Sequence, residues 1–119
     1  MAGARGEAVI QTEAGEVRIL YTARAIVDIE KTIGKAVPQI MQAFEVGEWY
    51  TSEIAHMLRA GMENHRRDSG MRGQIVSFNN ALDMIDEIGF SSIAVFVFEA
   101  IQQFYTFGTE DSDTDDPNS

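Results

Sequence analysis

At 119 residues, with 45% hydrophobic and 24% charged residues, the chain has the size and balance of one globular domain. Its net charge of −10 argues against a nucleic-acid partner, because affinity for a phosphate backbone comes mainly from Lys and Arg. It contains no cysteine, which excludes disulfides, thiolate metal sites and a cysteine nucleophile.

The opening "MAGARGEAVIQ" has no apolar h-region, so a secretory signal is not expected. The longest apolar run is interrupted by Glu99, Gln102 and Gln103, too short to span a bilayer. A cytoplasmic protein with no membrane partner is the expectation. Residues 7–21, "EAVIQTEAGEVRILY", read as two short strands about Glu13-Ala14-Gly15, with Val9 and Ile10 before the turn and Val17, Ile19 and Tyr21 alternating after it. A lone hairpin is marginal in water and must lean on helices.

From Thr22, a candidate cap, the period becomes helical, with Ile26, Ile29 and Ile33 on one face until Gly34. A second, short helix follows Val37-Pro38, with Ile40, Met41 and Phe44 inward and Gly47 as its stop. A third starts near Thr51-Ser52-Glu53 and carries Ile54, Met57, Leu58, Gly61 and Met62 as a buried stripe. Gly61 costs roughly 1 kcal/mol inside a helix relative to Ala, so it marks either close packing or an early helix end. "ENHRRDSGMRG", 63–73, reads as a polar loop. The fourth helix uses Ile75, Phe78, Leu82 and Ile85 inward, keeps Asp83, Asp86 and Glu87 outward, and stops at Gly89. Ser91 or Ser92 caps a fifth helix, whose β-branched and aromatic content makes a strand the competing reading.

Signals for catalysis are weak. Glu53 and His56 share a helix face, but no third metal ligand stands at recognisable spacing, and a rim histidine is the simpler reading. His65, Arg66, Arg67 and Arg72 form a basic cluster that suits a solvated loop better than an anion site. No phosphate-binding or dinucleotide fingerprint is present. No catalytic residue, cofactor or metal is expected, and the chain reads as a non-enzyme.

The fifth helix, "SSIAVFVFEAIQQFYTFG", holds more apolar width than one core-facing stripe can use. Ile93, Val97, Ile101 and Phe104 form the stripe, Phe98 and Tyr105 widen it, and Phe96 and Phe107 fall largely outside it. Either the other helices wrap this one completely, or part of it faces a partner; exposed apolar patches usually mark interaction sites. Phe96, Phe98 and Phe107 are the expected protein-binding residues, with Ile101 and Phe104 in the core.

The order of these blocks resembles the small tail-assembly proteins of gene transfer agents and tailed phages. An Arg5-Gly6-Glu7 opening leads into the hairpin and then a helix bearing Ile26, Ile29, Glu30 and Gly34. "TSEIAHMLRAGMENHR", with Leu58 and Gly61, is similar to the family's middle helix, and "ALDMIDEIGFSSIAVFVFEAIQQFYTFG" to its paired closing helices. The resemblance covers about residues 5–108. The chain departs from the pattern at "FNNALDMI", at the bulky "VFVF" and in its acidic end.

The resemblance implies a tail assembly chaperone that binds the tape-measure protein during tail morphogenesis, acting in the bacterial host cytoplasm. Tail-tube subunits are further implied partners, self-association into a homo-oligomer is expected, and Gly61 becomes a packing glycine. A structural component of the virion tail is the nearest alternative, and a small adaptor or antitoxin-like binding module a more distant one. The fold expectation is α+β: an N-terminal β-hairpin packed on four to five α-helices over residues 1–108, then a disordered acidic segment, 109–119.

Overall fold

The computed structural model describes residues 6–107. The acidic segment, with the disorder expected for it, lies outside the described residues. The fold is α+β: an antiparallel hairpin, β1 (Glu7–Thr12) and β2 (Gly15–Leu20), followed by α1 (Ala23–Ile33), α2 (Val37–Glu45), α3 (Thr51–Asp68), α4 (Phe78–Ile88) and α5 (Phe90–Thr106).

The hairpin turn falls where Gly15 supplies a φ of +126°, and the Thr12 hydroxyl ties it by donating to Gly15 O (2.8 Å) and accepting from Ala14 N (3.1 Å). The register pairs Ile10 with Val17 and Ala8 with Ile19, so one face of the ribbon is apolar. That face lies on α3 and α5, with Ile10 and Ile19 fully buried. The backbone N–H of Glu13 donates to Glu87 (3.0 Å), fastening the hairpin tip to α4.

The helix α3 is the central element and touches β2, α1, α4 and α5. Its Ile54, Met57 and Leu58 meet Ile29 of α1 and Ile93, Val97 and Ile101 of α5 in one core. The phenol of Tyr21 is buried in that core, and its hydroxyl donates to Met57 O at 2.6 Å. Burial raises its pKa, so the group stays a neutral donor.

Gly61 stands against Tyr21, so the close-packing reading holds and the early-end reading does not. The expected loop 63–73 is corrected in its first half, because α3 continues to Asp68. Glu63 meets Arg66 (2.7 Å) and Arg67 (3.1 Å) at i+3 and i+4, pairings that only the helical path provides. Ile75 is also corrected: it precedes α4 and is 71% exposed. Ser77 starts that helix instead, accepting from Asn80 N (3.1 Å) while Asn80 Oδ1 accepts from Ser77 N (2.9 Å). Thr22 holds the N-cap position of α1 without capping it, since its hydroxyl accepts from Asn64. The fifth helix begins at Phe90, directly after Gly89, rather than at a serine cap.

Candidate binding site

The second helix can enter its first turn at Val37-Pro38 because the Val37 N–H is taken by Glu30 (2.9 Å) and proline has none to satisfy. Val37 and Ile40 then bury themselves in the core and fix the helix's rotation. Met41 and Phe44, one and four residues after Ile40, are left half-buried along the edge that meets α5. Opposite them, Ile93, Val97 and Ile101 point inward, which turns Val95 outward and leaves Phe98 on the flank.

Between these edges lies an open groove of about 300 Å³ lined by Met41, Phe44, Val95 and Phe98. Glu45, Glu99 and Gln102 form its rim. Phe44 and Phe98 contact ring to ring at 4.7 Å, Trp49 extends the row at 4.8 Å from Phe44, and Phe90 stacks on Trp49 at 5.8 Å. Such tilted and offset contacts stabilise an aromatic surface that stays partly in water. Val95, 53% exposed, also walls a second hollow of about 280 Å³ with Phe96, Ser91 and Ser92. One apolar strip therefore crosses the outer face of α5, with carboxylates on one margin.

Of the three expected binding residues, Phe98 lies in the groove and Phe96 in the neighbouring hollow, joined through Val95. Phe107 is 58% exposed at the far end of α5, eleven residues on from Phe96 and outside both hollows. Sequence reasoning assigned Met41 and Phe44 to the core and passed over Val95 and Trp49. The sequence of α2 carries no signal for this, because Val37, Ile40, Met41 and Phe44 fall at i, i+3, i+4 and i+7, the spacing of an ordinary core-facing stripe.

The polar candidates are occupied elsewhere. Glu53 accepts from Lys35 (2.8 Å) and from Tyr50 N (3.3 Å), while His56 lies on the Phe78 ring at 4.4 Å. Burial first, and Arg59 second, lower the His56 pKa. Among the described residues, no three His, Cys, Asp or Glu side chains converge as a metal site. Arg66 and Arg67 are drawn onto Glu63, which also accepts from Val76 N (2.9 Å). Hydrogen bonds from Arg66, with those from Val76 and Arg67, outweigh burial and hold the Glu63 carboxyl down to about 2. The basic cluster read at 65–72 is thus largely an internal clamp on the end of α3.

No protein-family model, no curated protein and no solved structure matches the chain. Among the described residues, no helix is long and apolar enough to cross a membrane.

Proposed function

We propose that the chain is a non-enzymatic binding protein whose α2–α5 groove holds an apolar helix of a client protein. The observation that carries this reading is the groove itself: Met41, Phe44, Val95 and Phe98 leave apolar surface in water on a domain that already has a full core. Helix-in-groove recognition needs such a trough, into which side chains at i, i+3/i+4 and i+7 can be laid. A methionine wall adapts to different side chains, and an acidic rim favours a client helix flanked by Lys or Arg.

The more specific reading is a tail assembly chaperone whose client is the tape-measure protein. It is supported by the order of sequence blocks and by the chemistry of the groove, since the resemblance implies a long helical client. The negative body keeps such a complex from aggregating. Self-association through the same strip, contact with tail-tube subunits, and action in the host cytoplasm belong to this reading.

The test is co-expression with the tape-measure protein of the same genome, comparing the wild type with Val95→Glu. Val95 is exposed on a helix, and glutamate is a good helix former, so folding should be unaffected. The wild type should co-purify with the client and Val95→Glu should lose most of it. Equal recovery with both would contradict the groove as the client site.

A further inference from the structure

A second cleft, of about 460 Å³, lies between α1 and α3 and has the opposite character. Arg24, Lys31, Arg59 and Arg67 line it, four of the chain's nine Lys and Arg, against the carboxylates of Asp28 and Glu63. Both carboxylates are engaged: Asp28 accepts from Arg59 at 2.9 Å, and Glu63 is shared by Arg66 and Arg67. Arg24 and Lys31 have no ion-pair partner among the described residues. They lie seven residues apart on α1, about 10 Å, on the same face. On a chain of net charge −10, this is a local field of the wrong sign for the whole.

The last twelve residues contain the charge that fits. Glu110, Asp111, Asp113, Asp115 and Asp116 fall within seven positions, with no base among them. The point of departure is also suitable. A Cβ on Gly6 would lie 3.2 Å from Phe104 Cβ and 2.5 Å from Tyr21 O, so the last turn of α5 sits beside Tyr21, two residues before α1 begins. Desolvation, and then the charge of Glu30 on α1, raise the Tyr105 pKa, in keeping with that placement. From Phe107, a chain that can span at most about 3.3–3.6 Å per residue gives Glu110–Asp116 a reach of roughly 10–30 Å.

We propose that the α1–α3 cleft is the docking site of the chain's own acidic C-terminal segment, Glu110–Asp116, held through Arg24 and Lys31. The tether sets an effective concentration in the millimolar range, so a contact of only millimolar affinity, spread over several exposed pairs, is about half occupied. The contact is electrostatic and dissolves in salt.

The experiment uses the full chain, labelled for amide NMR, at low salt. In the wild type, the amide resonances of Glu110–Asp116 should differ from those of the synthetic peptide TEDSDTDDPNS. In Arg24→Gln/Lys31→Gln they should move at least halfway to the peptide values, and about 1 M NaCl should do the same to the wild type. The core resonances of Ile29 and Leu58 report that the variant is folded. Tail resonances already at the peptide values, or unchanged by the double substitution in a folded chain, would overturn the proposal. So would a wild-type difference that disappears on tenfold dilution, since the cleft would then be taking the tail of a second copy.

Discussion

Tyr21 and Gly61 share one space: a Cβ on Gly61 would lie 2.6 Å from Cζ and 2.7 Å from the hydroxyl oxygen of Tyr21. The ring can be buried only because α3 has no side chain there, and its hydroxyl then reaches Met57 O one turn earlier. Replacing Gly61 with Ala gains about 1 kcal/mol in helix propensity. Overpacking of a core ring costs about 1–3 kcal/mol, and this ring is held by its hydrogen bond. Gly61→Ala should therefore lower stability in a denaturant melt, contrary to the usual sign for a mid-helix glycine. Adding Tyr21→Phe should not restore it, because the ring carbon is as close as the oxygen.

Glu63 makes stability depend on acid. Its carboxyl is held down to about 2, against an ordinary value of 4.5, so folding binds fewer protons than the unfolded chain between those values. The contribution is fully present above about pH 4.5 and is lost as pH falls toward 2. Glu63→Gln should melt several degrees lower at neutral pH, and the gap to wild type should close across that window. A gap that stays constant from pH 7 to pH 2 would show that the clamp does not depend on the charge.

Along α5, inward and outward positions should respond differently. Ile101 is fully buried, so Ile101→Ala should cost about 2–5 kcal/mol. Phe96 is half-buried, so Phe96→Ser should melt closer to wild type than Ile101→Ala does, while reducing self-association in sedimentation. Phe104 is half-buried against the core rather than enclosed in it, and Phe104→Ser should fall between the two.

The cap of α4 is a local test of the fold. Ser77→Ala removes the oxygen that accepts from Asn80 N and should cost about 1 kcal/mol in a denaturant melt. No change would mean that α4 is held by its packing on α3 and α5 rather than by its cap.

Much of the architecture could be read from periodicity. The hairpin turn at Gly15, the stop at Gly34 with its φ of +83°, and the buried stripe Ile54, Met57, Leu58 follow from local rules that this chain obeys. The extension of α3 to Asp68 was hidden because its last turns carry no apolar face. They are fixed by Glu63 with its two arginines, and by Asn64, whose amide donates to Leu20 O at 2.8 Å across the fold. The groove was half legible. Period 3.6 shows that Phe98 and its neighbours exceed one stripe and places Met41 and Phe44 inward, where both do pack against the core. That their outer edges also wall a groove depends on which element stands opposite, a tertiary fact.

The central claim is that the strip joining Phe44, Val95 and Phe98 receives a client helix. The most direct measurement is an amide and methyl NMR titration of the full chain with a helical segment of the tape-measure protein, beside the same titration of Val95→Glu. The account predicts that the largest shifts fall on Met41, Val95 and Phe98, and that Val95→Glu weakens binding at least tenfold. Shifts centred elsewhere on the domain, or equal affinity for both proteins, would contradict it.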